Sequence, residues 1–298
     1  MLANRMLMSS VSDISYGFFG GDESSNVIDY INVATTGANA LDKGDPTVAR
    51  YGAAGVSGAT YGFFGGGNGG SQSDVIDYIN ITITSGNATD SGNLTVARSG
   101  ARGMSGATYG FFGGGHTGAA RITAIDYINV TATSGNGLDK GDLTVGRESG
   151  GGVSGSTYGF FCGGDTGAAL SNVIDYINVT TTSGDAADKG DLLSTRRLNC
   201  GVSGSTYGFL GGGLNGPVNV IEYINVTTTS GNAADKGDLT ATKYGAGGVS
   251  GNTYGFFGGG NSGGLINVID YINVTTTSGN ASDSGDLTTS RGDITGVS

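Results

Sequence analysis

Tyr61-Gly62-Phe63-Phe64-Gly65-Gly66-Gly67 is the stretch that decides the fold. Thr60 to Phe64 is rich in β-branched and aromatic residues, which favour a strand, and the glycines end it. Phe63 and Phe64 are consecutive, so they fall on opposite faces of that strand. Val75-Ile76-Asp77-Tyr78-Ile79 also places large residues on both faces. A sheet with one wet face would alternate apolar and polar residues. Strands apolar on both faces belong to sheets packed between other sheets, as in the blades of a ring.

Outward from this stretch, one unit reads as four strands. The first is expected over Tyr51–Ser57, the second over Thr60–Phe64, the third over Val75–Thr84 and the fourth over Ala88–Leu94. Ser57-Gly58 and Ser85-Gly86-Asn87 supply tight turns. No stretch keeps a helical period, so almost no helix is expected.

The unit recurs. Its tyrosine stands at Tyr16, Tyr61, Tyr109, Tyr158, Tyr207 and Tyr254, at separations of 45, 48, 49, 49 and 47 residues. Each copy continues into an Ile-Asp-Tyr-Ile-Asn segment, beginning at Ile28, Ile76, Ile125, Ile174, Ile221 and Ile269, with Glu222 for Asp in the fifth. A period near 50 suits a four-stranded blade better than a β-helix rung. The expectation is an all-β, six-bladed β-propeller with four antiparallel strands per blade, a single domain over residues 1–298. Its units run about 1–45, 46–93, 94–142, 143–191, 192–238 and 239–286. Residues 287–298 supply an extra first strand. Arg5 precedes Tyr16 by the same 11 residues that separate Arg50 from Tyr61, so the chain holds seven first strands for six blades. Either residues 6–12 or residues 292–298 close the ring. Met6-Leu7-Met8 departs from the small residues of the other copies, which favours the C-terminal segment. The spare segment is left to pair with another chain.

These segments resemble kelch repeats. Tyr61-Gly62-Phe63-Phe64-Gly65-Gly66 resembles the kelch strand ending in Gly-Gly. Ile76-Asp77-Tyr78-Ile79-Asn80 resembles the kelch Val-Glu-Val-Tyr-Asp segment, and Leu94-Thr95-Val96-Ala97-Arg98 the segment ending in Pro-Arg. The kelch tryptophan of the fourth strand has no counterpart, since the chain contains no Trp. In wording (Phe-Gly-Gly-Gly, Ile-Asp-Tyr-Ile, Ser-Gly-Asn-Ala-Thr-Asp) the repeat is similar, over the whole chain, to repeats of virion structural and tail-fibre-like proteins of tailed phages, especially those of marine bacteria. That resemblance implies a non-enzymatic virion component: a tail-fibre, receptor-binding or capsid-surface part that contacts other virion proteins and a host surface glycan or receptor. A bacterial surface lectin or adhesion propeller is the alternative, and a glycan hydrolase a third.

Composition narrows the partners. The chain carries 14 Lys+Arg against 25 Asp+Glu, a formal charge of −11. A phosphate backbone or an anionic membrane surface calls for basic patches, so neither nucleic acid nor membrane insertion is expected. No apolar run approaches 18 residues. The start, Met1 to Met8, lacks the long apolar region of a secretory signal. Two cysteines cannot form a disulfide framework. His116 is the only histidine, which leaves no multi-histidine metal site and no local triad motif. No cofactor, metal or catalytic residue is implied.

Six acids share one repeat position: Asp29, Asp77, Asp126, Asp175, Glu222 and Asp270. A base recurs at Arg50, Arg98, Arg147, Arg196, Lys243 and Arg291. One structural acid–base pair per blade is expected, with Asp77 tested against Arg98; a carboxylate ring for cations or sugar is the functional alternative. The Asp-Lys-Gly-Asp motifs at 42–45, 139–142, 188–191 and 235–238 read as turns, or as partial Ca²⁺ loops. Cys162 and Cys200 read as small buried side chains, or as a disulfide or reactive thiols. Asn-x-Thr at Asn80, Asn129, Asn178, Asn225 and Asn273 reads as strand residues. Arg291-Gly292-Asp293 spells an adhesion tripeptide at the repeat's own Arg position. The segments after the Gly bends vary most, and loops that vary on a rigid scaffold carry recognition or merely drift. The binding candidates they supply are Asn68, Asp74, His116, Arg121, Asp165, Asn215 and Asn261.

Overall fold

Six four-stranded antiparallel sheets surround one axis, five of them following the chain from the innermost to the outermost strand. The structure is a computed structural model and describes residues 15–22, 25–216 and 218–298. Blade 2 consists of Ala54–Ser57, Tyr61–Gly65, Val75–Asn80 and Thr89–Asn93, and blades 3 to 6 repeat this order. Blade 1 takes Thr295–Val297 as its first strand, ahead of Tyr16–Gly20, Ile28–Asn32 and Leu41–Gly44. The described residues contain no helix.

The C-terminal segment therefore closes the ring, with Phe18 opposite Val297 and Gly20 opposite Thr295. Arg5 and the rival segment 6–12 lie outside the described residues. Phe63 and Phe64 divide between two cores, as their alternation requires. Phe63 packs with Phe112 and Ile128 of blade 3. Phe64 packs with Phe18 and Ile28 of blade 1 and with Val297. Each buried Phe contributes roughly 1.5–3 kcal/mol.

Strand bounds differ from expectation by more than one residue at two places. The third strand stops at Asn80 and not at Thr84, because the Asn80 side chain turns the backbone. Its Oδ1 accepts the Thr82 N–H at 2.8 Å and the Thr82 hydroxyl at 2.7 Å. Asn129, Asn178, Asn225 and Asn273 do the same. The first strand begins at Ala54, since Tyr51 bridges to Asn68.

The Asp-Lys-Gly-Asp motifs are not turns. They lie in outermost strands such as Leu138–Asp142 and Ala187–Asp191, at a β-bulge where the central Gly has positive φ. The motif's first Asp bonds its own bulge, as when Asp42 Oδ1 accepts the Gly44 N–H at 2.8 Å. The expected pairing of Asp77 with Arg98 is also corrected. Asp77 pairs with Arg50 at 3.0 Å, and Arg98 pairs with Asp126 at 3.0 Å. Each base sits on the link entering a blade and meets the acid of that same blade. Thr47, three residues before Arg50, donates its hydroxyl to Asp77 Oδ1 at 2.6 Å. One buried carboxylate thus clamps the link by both Thr and Arg. Arg291 repeats this on Asp29, and so joins the C-terminal segment to blade 1.

The first strands line the axis. In each, a glycine is pressed against its neighbour blade: a Cβ on Gly103 would overlap the carbonyl oxygen of Gly55. Two residues on, six serines close a hydrogen-bonded ring. The Ser57 N–H donates to Ser105 Oγ at 2.8 Å, Ser105 to Ser154 at 2.9 Å and Ser154 to Ser203 at 2.9 Å. Ser203 donates to Ser250 at 2.8 Å, Ser250 to Ser298 at 3.0 Å and Ser298 back to Ser57 at 3.0 Å.

Candidate functional site

Antiparallel strands send two kinds of connection to the same end of the ring: the bend between second and third strands, and the link from a fourth strand to the next blade. Backbone bridges join them in pairs, Tyr51 with Asn68, Ser99 with His116, Glu148 with Asp165, Arg197 with Leu214 and Tyr244 with Asn261. This is the loop end. The serine ring and the hairpin turns lie at the other.

At the loop end the backbone also forms a ring around the axis. The N–H of Gly52 donates to Asp293 O at 2.9 Å, Gly100 to Gly52 O at 2.8 Å, Ser149 to Gly100 O at 2.7 Å and Gly245 to Leu198 O at 2.9 Å. Every described residue at this repeat position has positive φ. Three of them are not glycine: Ser149 at 59°, Leu198 at 55° and Asp293 at 52°. A left-handed conformation costs an L-residue about 1–2 kcal/mol. Such strain tends to collect at functional sites. Here it puts three side chains on this ring at the loop end, where glycine would bring none.

Around this ring the loop end divides. Over blades 3 to 5 the side chains are charged and paired. Arg121 meets Glu148 at 2.9 Å and Asp165 at 3.6 Å, and Arg197 meets Asp165 at 3.0 Å. Half-exposed pairs of this kind contribute little to stability. Over blades 6, 1 and 2 opens a cleft of about 490 Å³ lined by Tyr51 and Tyr244, with Asp22, Asn261, Leu265 and Asp293. Burial pushes the Asp293 carboxyl above the usual carboxylate range, against the pull of Arg102 and Arg197. Aromatic faces can cover the C–H faces of a small polar ligand while carboxylates and an amide orient its hydroxyls.

The seven loop candidates separate accordingly. Arg121 and Asp165 meet in the charged belt, and His116 bridges to Arg121 through the backbone. Asn261 lines the cleft, and Asn68 pairs with the backbone of Tyr51. Asp74 and Asn215 join neither group. Asp74 O accepts the Leu94 N–H at 2.7 Å, and Asn215 Nδ2 donates to Thr195 O at 3.0 Å. The sequence reading passed over Tyr51, Glu148, Arg197 and Tyr244. They occupy one repeat position, directly after the kept base, which holds Tyr51, Ser99, Glu148, Arg197, Tyr244 and Gly292. A position that changes beside one that does not was the available signal.

Two other motifs resolve differently. Arg291 is buried on Asp29, so Arg291-Gly292-Asp293 is not presented as an adhesion loop, although Asp293 reaches the cleft. Cys162 and Cys200 are free and buried, and burial pushes both thiols up to about 12, far from reactive thiolates. No family model matches the sequence, and no curated protein matches it.

Proposed function

We propose that this propeller is a non-catalytic binding scaffold whose loop-end cleft holds a neutral or cationic glycan of a host surface. One observation carries the reading: a cleft of about 490 Å³ with two tyrosine rings, two carboxylates and an amide, at the end where the copies differ. The carboxylates Asp22 and Asp293, with the net charge of −11, disfavour anionic sugars. The setting proposed is a virion surface, as a tail-fibre, receptor-binding or capsid-surface part. The repeat wording supports it, and mass spectrometry of purified particles tests it.

A glycan array followed by calorimetry on the strongest ligand tests the cleft. Tyr51→Ala and Tyr244→Ala are each expected to weaken binding at least tenfold, while Arg121→Ala leaves it unchanged. The reverse pattern would move the site to the charged belt. Glycan hydrolysis is the second reading, favoured by the raised Asp293 carboxyl beside Asp22, since a protonated acid and a carboxylate can flank a glycosidic bond. New reducing ends on incubation, abolished in Asp293→Asn, would establish it.

A further inference from the structure

The first strands reach the axis on two small residues: Ala53-Ala54 in blade 2, Gly150-Gly151 in blade 4 and Ala246-Gly247 in blade 6. Two departures carry a charge or an amide. Arg102 of blade 3 stands where blade 2 has Ala54, and Asn199 of blade 5 stands where blade 2 has Ala53. Both line a cavity of about 100 Å³ on the axis, which reaches the serine ring. They also flank the same stretch of blade 4. Arg102 Nε donates to Gly150 O, and a Cβ on Gly151 would touch Asn199 Nδ2.

Neither side chain is satisfied. Arg102 Nη1 donates to Ala101 O at 3.2 Å, which leaves Nη2 without a partner among the described residues. Asn199 is 2% exposed. Its Nδ2 donates to Cys162 O at 3.4 Å, and that bond orients the amide so that Oδ1 is the atom with no donor. Arg102 is the one charged side chain among the described residues that line the cavity. No described carboxylate pairs with it, whereas Arg50, Arg121 and Arg197 each have one. Burial pulls its guanidinium below the usual range, although nearby acids, Asp293 foremost, oppose this. Arginine keeps its proton in proteins, so the charge stays and calls for an anion.

Size and hydrogen bonding narrow that anion. One water needs about 10–15 Å³ of such space, and pockets for drug-sized ligands run to about 300–1,000 Å³. The cavity therefore takes an ion of a few heavy atoms. Arg102 Nη2 requires an acceptor and Asn199 Oδ1 a donor, so the ion is a small oxyanion that still carries a hydroxyl.

We propose that the axial cavity binds hydrogencarbonate. Its charged oxygens accept from Arg102 Nη2, and its hydroxyl donates to Asn199 Oδ1. Nitrate has the same charge and planar shape but no hydrogen to give, so it satisfies Arg102 alone. The site lies inside the ring and does not depend on the loop-end cleft.

Titration of the ¹⁵N-labelled protein with sodium hydrogencarbonate at constant ionic strength tests this, with sodium nitrate as the comparison. Hydrogencarbonate is expected to shift the amides of Gly103, Gly152 and Gly201, which line the cavity. Nitrate should bind about fivefold more weakly. Arg102→Ala and Asn199→Ala each install the residue that blade 2 already carries, so the ring should tolerate them. Arg102→Ala should bind either anion at least tenfold more weakly. Asn199→Ala should lose the preference for hydrogencarbonate and keep its affinity for nitrate, and it carries the test alone if Arg102→Ala folds poorly. Arg121→Ala removes a positive charge from the loop end and should change neither affinity. No shift with hydrogencarbonate, equal affinity for nitrate, undiminished binding to well-folded Arg102→Ala, or an unchanged preference in Asn199→Ala would each overturn the proposal.

Discussion

Both ends of the propeller are closed by a ring of hydrogen bonds, but the two rings are built from different groups. At the serine end six copies of one side chain link blade to blade, Ser57 to Ser105 and onward until Ser298 returns to Ser57. At the loop end backbone groups make the circuit, from Gly52 through Gly100 and Ser149. A ring closed by side chains must keep those side chains. A ring closed by backbone leaves its side chains free, and Ser149, Leu198 and Asp293 stand where other units have glycine. The difference separates scaffold from surface: what is copied holds the blades together, and what varies faces outward at the loop end.

The strongest challenge to that division is removal of the closing segment. Deleting residues 287–298 takes Leu287, Ile294 and Val297 from the core and leaves Asp29 buried without Arg291. Three apolar side chains at roughly 1.5–3 kcal/mol each, with about 3–5 kcal/mol for the orphaned charge, rival a typical total stability of about 5–15 kcal/mol. No cooperative melting transition is expected by calorimetry. A native-like melt would mean that another segment can complete blade 1.

Next in size are the clamps. Arg50→Gln or Asp77→Asn alone should cost about 3–5 kcal/mol, because each leaves a buried partner uncompensated. In chemical denaturation the double variant should cost far less than the sum of the two, whereas Asp77→Asn with Arg98→Gln should be additive. Coupling between Asp77 and Arg98 would contradict the pairing.

Glycines sharpen the comparison further. Gly103→Ala drives a Cβ into the Gly55 carbonyl in the axial wall and should cost about 1–3 kcal/mol. Gly264→Ala, in a loop-end bend with open space around its Cα, should shift the melting temperature by less than a degree or two. Equal effects would mean that the axial wall can relax as readily as a surface bend.

The ring was legible because its signal is multiplied. Six copies of Tyr-Gly-Phe-Phe and Ile-Asp-Tyr-Ile-Asn fix blade number and burial on both faces, and the surplus first strand pointed to C-terminal closure. What was not legible depends on which segment faces which. Arg50 and Arg98 are both within reach of Asp77 along the sequence, and only the path of the inter-blade link decides between them. Asp-Lys-Gly-Asp reads as a turn because Asp and Gly favour turns, yet a bulge uses the same positive φ within a strand. The cleft was half visible. Asn261 lay in a varying bend, but Tyr51 and Tyr244 sit one residue after a kept base, in a stretch that reads as scaffold.

Blade 5 supplies the smallest and most diagnostic effect, since its clamp is built with the wrong parts. Leu193 stands where Thr47 stands in blade 2, and Glu222 stands for Asp. The Leu193 N–H bonds Glu222 Oε2 at 2.9 Å, but Oε1, though 3.1 Å from Arg196, has no hydrogen-bond partner. Burial accordingly pushes the Glu222 carboxyl above its usual range, despite the opposing pull of Arg196 and of the Leu193 N–H. A carboxyl whose pKa is raised by folding holds its proton more tightly in the native state. Its contribution to stability is complete below the unfolded pKa, about 4.3, and is lost as pH rises through the higher folded value. Leu193 is 58% exposed, so replacing it sacrifices little burial. Leu193→Thr offers Oε1 the hydroxyl that the other blades possess, and should add about 0.5–1.5 kcal/mol at pH 7. Because the new donor favours the charged form, the gain should shrink as pH falls toward 4. Melting temperatures of both proteins between pH 4 and 7 measure this, and a gain independent of pH would place the benefit elsewhere than on Glu222.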